Sequence, residues 1–425
     1  MVDQLEISET NEKRNQIIVN RKYKFNLWYT TNNTKVFKCT EYKTVNKCKS
    51  YITLNDNNKV IKYENKHTHP GKEYDASVSI VKHKMKNEIR KSSFPFDIKP
   101  KRIYEEISQE IGYICPEYNT IKSQILRYKN KQLPPDISTF NEIPDESEYY
   151  INERNENFMI FKNSNIIIFQ SPFQTELFIE YNENMFVDGT FYIAPTFGYQ
   201  VFITRVYAPE INSFYSTSLS ILNNKEQSTY ELLFEELKKN ASKYNNNIII
   251  TPKILHCDFE KGISNAAIKI FPNITIKYCV WHYKRSLKIQ KYKLCHNEVE
   301  HNHNIYLFYK AVTNFPFINP EYIFDIYNYI KIICQVYNYY HFLNFLEYFN
   351  KTYLYKYDIQ CWNYCNDINH ITNNASVSFN NYLKKLFYKK PSFYELIYHL
   401  KKEESLSYNN YKRKIGGIWK KKEEY

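Results

Sequence analysis

Between Asn184 and Gln290 the chain alternates element types in an order that few folds accept. NMFVDGTFYI, YQVFITRVYA and SFYSTSLSIL are three consecutive runs of β-branched and aromatic residues separated by short turns. STYELLFEELKKNASKY follows with helical spacing and places Leu232, Leu233, Phe234 and Leu237 on its apolar side. KILHCD then reads as a buried strand, EKGISNAAIKIF as a helix, TIKYC as a further strand, and WHYKRSLKIQ opens another helix. The order β-β-β-α-β-α-β-α predicts an α/β core with a mixed sheet covered by helices. FMIFKN and NIIIFQ add strand-like runs ahead of it, and FQTELFIEYN a helix.

This order resembles the ribonuclease-H-like fold, in which the first and fourth strands lie side by side and parallel. Asp188 falls on the first of those strands and Asp258 at the end of the fourth. Adjacent strands are separated by about 4.8 Å, so carboxylates at matched heights can share a hard, oxygen-preferring cation. Taken singly, Asp188 also suits a turn before Gly189, and Asp258 the N-cap of the next helix. The two blocks DGTFYIAPTFGYQVFI and CDFEKGISNAAIKIFPNITIKYCVWHYKRSLKIQ, followed after an insertion by WNYCNDINHITNNASVSFNNYLKK, resemble the Mutator-like (MULE) transposase domain. The resemblance spans about residues 150 to 410. It implies a DDE-type core that cleaves and transfers DNA strands, with Asp188 and Asp258 as catalytic residues holding Mg²⁺ or Mn²⁺. It also puts a third acidic residue three positions after Thr-Asn-Asn, where this chain has Val377. Glu260 and Asp367 are the candidate substitutes. A chain that lost this carboxylate and kept the architecture would be a domesticated, DNA-binding regulator. The same resemblance supplies a Cys-x-x-His at Cys279 and His282, which reads either as half of a second zinc site, completed by Cys361, Cys365 or His370, or as a buried thiol beside a hydrogen-bonded imidazole.

Nearer the start, Cys39, Cys48, His67 and His69 form C-x8-C-x18-H-x-H within a segment of short strands such as VFKC, SYITL and VIKYE. Thiolates with imidazoles are the ligands of a closed tetrahedral structural zinc. About 50 residues with few large aliphatics bury too little surface to fold firmly without such a staple. The aromatic and lysine before the first cysteine (Phe37, Lys38), the basic CKSYIT around the second and the final HTHP resemble the FLYWCH zinc finger. That implies a finger over residues 21–72 with structural Zn²⁺, and Lys38 among the DNA-facing residues.

The remaining features are compositional. Lys and Arg number 58 against 45 Asp and Glu, a net charge of +13, which favours a polyanionic partner. Part of that excess, with the 42 tyrosines and 7 glycines, follows from AT-rich codon usage, so the placement of charge carries more weight. Residues 76–135 show helical spacing, and 99–131 read either as a helix-turn-helix whose second helix carries Lys122, Arg127, Lys129 and Lys131 toward DNA, or as a solvated face of a linker bundle. Lys82, Lys84, Lys86, Arg90 and Lys91 extend the positive stripe. Residues 1–20 are polar and predict a disordered tail. The core is expected over 143–410 with a helical insertion at about 293–370, and a basic tail over 411–425 containing KRK and KKK. Nine cysteines without a secretory leader at the start of the sequence point to a soluble, reducing, nuclear setting. DNA is the expected partner, with a homodimer or higher oligomer on DNA ends and no membrane.

Overall fold

Two apolar periodicities, one of two residues and one near 3.6, account for the first 135 residues. The computed structural model describes residues 5–10, 15–92, 95–244, 248, 250–366, 370, 374–387 and 389–419, and these divide into two units, residues 1–135 and 136–425. In the first, β1 (Leu5–Glu9), β2 (Asn15–Val19), β3 (Tyr23–Thr30), β4 (Thr34–Cys39), β5 (Tyr51–Asn55) and β6 (Val60–Glu64) form an antiparallel meander in chain order. Helices α1 (Glu73–Lys91), α2 (Pro100–Ile111) and α3 (Tyr118–Asn130) pack together through Ile80, Val81, Met85, Ile107, Ile121 and Ile125.

The expected loose tail over residues 1–20 is corrected by this sheet. β2 pairs with β3 from Gln16↔Asn26 to Val19↔Tyr23, and β1 pairs with β2. The physical reason lies in the alternation of β2. Ile17 and Val19 enter the small core of the sheet with Phe25, Phe37, Ile52 and Leu54. Ile18, between them, enters the helical core with Ala76 and Ile80. A strand covered on both faces reads as a plain apolar run rather than an alternation, and a run of three among polar neighbours is too short to stand out.

The second unit is built on a seven-stranded mixed sheet, ordered β13-β12-β9-β10-β11-β8-β7. Its strands are β7 (Met159–Lys162), β8 (Ile166–Phe169), β9 (Asn184–Thr190), β10 (Gln200–Ala208), β11 (Ser213–Leu222), β12 (Ile254–Cys257) and β13 (Thr275–Tyr278). α4 (Pro172–Glu180) lies between β8 and β9 in the chain, α5 (Gln227–Tyr244) between β11 and β12, α6 (Lys261–Ile270) between β12 and β13, and α7 (Val280–Leu294) after β13. The element order expected over 184–290 is therefore the order found. β12 pairs parallel with both β9 and β13, whereas β9, β10, β11, β8 and β7 pair antiparallel in turn.

Past α7 the chain is helical: α8 (His296–His301), α9 (His303–Asn314), α10 (Pro320–Val336), α11 (Tyr340–Phe349) and α12 (Ile359–Trp362), with a π-helical stretch at Asn350–Tyr355. These helices continue the main core instead of forming one of their own. Tyr283 of α7 stacks on Trp362 with ring centroids 5.5 Å apart and meets Tyr353 edge-on at 4.8 Å. The abundance of tyrosine thus has a packing role as well as a codon origin. α13 (Asn374–Leu386) and α14 (Phe393–Ile415) cover the opposite face of the sheet. β10 shows the two sides: Phe202 and Val206 face the core shared with α5 and α6, while Val201 and Ile203 face the core shared with Leu383, Phe393, Leu396 and Ile397. α14 is stapled down by buried Glu404, which accepts from Arg154 Nη2 at 2.6 Å and Ser171 Oγ at 2.5 Å. It also takes up the KRK of the expected basic tail, where Lys414 donates to Ser213 Oγ at 2.5 Å. The KKK at 420–422 lies outside the described residues.

Candidate active site and metal centre

Four ligand atoms of Cys39, Cys48, His67 and His69 lie within 4.8 Å of one another, the spacing a tetrahedral ion requires. β4 ends at Cys39, the turn before β5 supplies buried Cys48, and the loop after β6 supplies the two histidines. Each imidazole is oriented from behind. His69 Nδ1 donates to the Pro70 carbonyl at 2.8 Å and turns Nε2 to within 3.2 Å of Cys39 Sγ. His67 has Nε2 3.2 Å from the Tyr63 hydroxyl and Nδ1 3.5 Å from Cys48 Sγ. Such outer partners fix tautomer and ring angle in metal sites. Tyr23 stacks on His67 at 3.6 Å. Burial, with a smaller effect of His69, pushes His67 down to about 4, so its imidazole is neutral and able to ligate. The donor set fits structural zinc.

In the second unit, the pairing of β9 with β12 fixes the relation of the two aspartates. The register Ile254↔Asn184, Leu255↔Met185, His256↔Phe186 pairs residues 70 apart in number, and carried two residues further, just past the end of β12, it brings Asp258 level with Asp188. Met185 and Val187 point into the core under α5 and α6, so Asp188 alternates to the face that carries α13. There Asn380 of α13 donates from Nδ2 to Asp188 Oδ2 at 2.7 Å. Asp258 meets α7, with His282 Nδ1 2.7 Å from its Oδ1. Both aspartates line one cleft of about 1040 Å³ with Trp281, Val377 and Asn380, rimmed by Arg285, Lys384, Lys389 and Lys390.

The charge state of the cleft follows from this crowding. Burial, then the neighbouring Asp258 carboxylate, lifts Asp188 to about 7, against the pull of His282 and the Asn380 hydrogen bond. Burial works against an imidazolium at His282, but Asp258 and then Cys279 outweigh it and raise the group to about 10. Two like charges held together in a partly dry cleft are the condition that a divalent cation relieves, and two carboxylate groups suit a hard ion.

Of the two expected substitutes for a third carboxylate, Glu260 does not line this cleft. Val377 stands on its wall, at the place the third acid was expected. Glu260 is engaged elsewhere, accepting from Lys225 Nζ and the Tyr230 hydroxyl, each at 2.6 Å. Asp367 lies outside the described residues. Among the described residues lining the cleft, the carboxylates are those of Asp188 and Asp258. The second zinc site is not assembled among the described residues either, where the finger holds the single grouping of three or more ligand side chains. Cys279 is buried beside His282 at the start of α7, and His370 packs on Phe186, Tyr207 and Phe214.

Two basic regions of the first unit complete the picture. Lys86, Arg90, Arg127 and Lys131 line one groove with Gln124, Tyr128, Gln132 and Glu9, the last paired with Arg90 at 3.3 Å, so the stripe on α1 and the end of α3 meet. Lys122 is exposed outside it, whereas Lys129 donates to the Ile98 carbonyl at 2.9 Å and braces the turn before α2. Lys38 sits over the Trp28 ring at 3.1 Å and near Tyr42 at 4.2 Å, a cation–π arrangement on an open surface.

Each of the two units contains a match to a known family. Residues 184–286 match the model of the MULE transposase domain, and residues 8–69 that of the FLYWCH zinc finger domain. The chain joins a FLYWCH finger to a MULE transposase domain. Among curated proteins none matches it. The finger match begins inside β1, in keeping with the strands found there. Around the cleft, the sequence reading missed Arg285, inside the matched MULE segment, and Asn380, beyond it. Each stands three residues, about one helical turn, after a residue it had singled out, His282 and Val377, and so shares its face. The membrane expectation can be stated only in part: no helix among the described residues is long and apolar enough to cross a bilayer.

Proposed function

We propose that this is a transposase-like, DNA-binding protein whose second unit has the ribonuclease-H-like arrangement and presents a DNA phosphodiester to a divalent cation held by Asp188 and Asp258. The observation that carries this reading is the pair of aspartates at one height on neighbouring parallel strands, open to a cleft with four cationic side chains on its rim. Bound Mg²⁺ or Mn²⁺ would polarise the phosphoryl group and activate the attacking oxygen. The chain's own residues do the rest. Arg285, Lys384, Lys389 and Lys390 hold phosphates, His282 orients Asp258, and Asn380 orients Asp188. The finger and the groove of Lys86, Arg90, Arg127 and Lys131 hold flanking DNA, which gives affinity that falls with salt. With DNA as its partner the protein would act in the nucleus, and joining two DNA ends would require a second copy.

One observation favours a second reading. Val377 gives the cleft no third carboxylate, and phosphoryl transfer depends almost wholly on positioning and electrostatics. The alternative is a protein that binds DNA through the same surfaces and does not cut it. Nicking of labelled double-stranded DNA by the zinc-loaded protein, with Mn²⁺ or Mg²⁺ and Asp188→Ala as control, separates the two. Nicking that vanishes in the variant supports strand cleavage. Binding without nicking under any divalent ion leaves the regulator.

A further inference from the structure

Asn380 is the polar side chain of α13 that reaches Asp188. It is 5% exposed, and its Nδ2 donates to Asp188 Oδ2 at 2.7 Å. A carboxylate accepts hydrogen bonds and does not donate them, so the amide nitrogen is the atom that meets Asp188 and the amide oxygen is left for another partner. That oxygen, Asn380 Oδ1, is buried without a hydrogen-bond partner. A buried amide oxygen left bare is costly and marks a site that something else completes. Asn380 lines the same cleft as Asp188, Asp258 and Val377, one helical turn beyond the position where a third acid was expected.

We propose that Asn380 takes the place of the missing carboxylate, so that Asp188, Asp258 and the Asn380 amide oxygen form a three-residue set for a single hard divalent cation. Amide oxygens are ordinary ligands for such ions. The set carries two negative charges instead of three, which matches one divalent ion and leaves a second dependent on substrate phosphate. The reading of Asp188 and Asp258 as a cation site underlies this assignment.

Mn²⁺ binding to the full-length, zinc-loaded protein, followed by electron paramagnetic resonance and calorimetry without DNA, tests it. The wild type should bind one Mn²⁺, and Asp188→Ala none at this site. Asn380→Ala should weaken binding by at least about tenfold, and Asn380→Leu, closer in volume, by a similar factor. Asn380→Asp, which keeps the shape, should tighten it, because the added charge faces the ion. If the amide only braced Asp188, the added carboxylate would repel Asp188 and gain nothing. Unchanged affinity in Asn380→Leu, or no gain in Asn380→Asp, while Asp188→Ala still abolishes binding, would overturn the role of Asn380 and leave the cation site standing. Unchanged Mn²⁺ binding in Asp188→Ala would instead remove the cation site itself.

Discussion

The finger and the cleft both gather side chains that suit a metal ion, and they are put together in opposite ways. In the finger, four ligands come from a stretch of 31 residues, Cys39 to His69, and close on one another with aromatic rings packed behind them. Nothing is left open for a substrate. In the cleft, two carboxylates arrive from strands 70 positions apart, Val377 and Asn380 stand on the facing wall, and the open side is lined with lysine and arginine. The first arrangement supplies folding energy. The second leaves coordination to be completed from outside.

That contrast can be broken most sharply at the finger. Cys48→Ser, or chelation of the wild type, should lower zinc from one per chain to zero and unfold the meander, since structural zinc contributes about 10–16 kcal/mol in small fingers. Limited proteolysis should then cut within residues 15–70 and spare 136–419. Equal resistance with and without chelator would show that the sheet stands on its own core. The second unit should answer to its internal ion pair instead. Arg154→Ala strands buried Glu404 and should cost roughly 3–5 kcal/mol, read as a fall in the unfolding midpoint of that unit with zinc content unchanged. Substitutions at the cleft should be milder for folding and specific for DNA. Arg285→Ala and Lys384→Ala should each reduce the salt dependence of DNA binding by about 0.9 in log–log slope. The smallest effect is expected at Lys129→Ala, which loses a brace to the Ile98 carbonyl and should leave that slope unchanged, whereas Arg127→Ala and Lys131→Ala lower it.

The same contrast explains what the sequence could and could not disclose. The zinc ligands were readable because their spacing is local and their chemistry has few other uses. Asp188 and Asp258 were readable as a pair because the order of strands and helices implies which strands become neighbours. Asn380 was not, since its spacing from Val377 was its one signal, and an asparagine in an asparagine-rich chain gains weight only when α13 is laid against β9. Lys129 looked like a DNA contact because charge is visible in sequence and a carbonyl 31 positions away is not. Glu260 failed as a substitute for a similar reason, its partners Lys225 and Tyr230 being set by the approach of α5 and α6. β2 escaped notice because burial on two sides erased its alternation.

β2 has a mechanical consequence for the first unit. With Ile17 and Val19 plugged into one core and Ile18 into the other, a single short ribbon rivets the finger to its helices. The open surface around Lys38 and the groove of Arg127 cannot swivel like beads on a string. They travel as one block, so any partner that touches both meets them at a fixed separation, and a polypeptide begun at residue 21 would lose that separation.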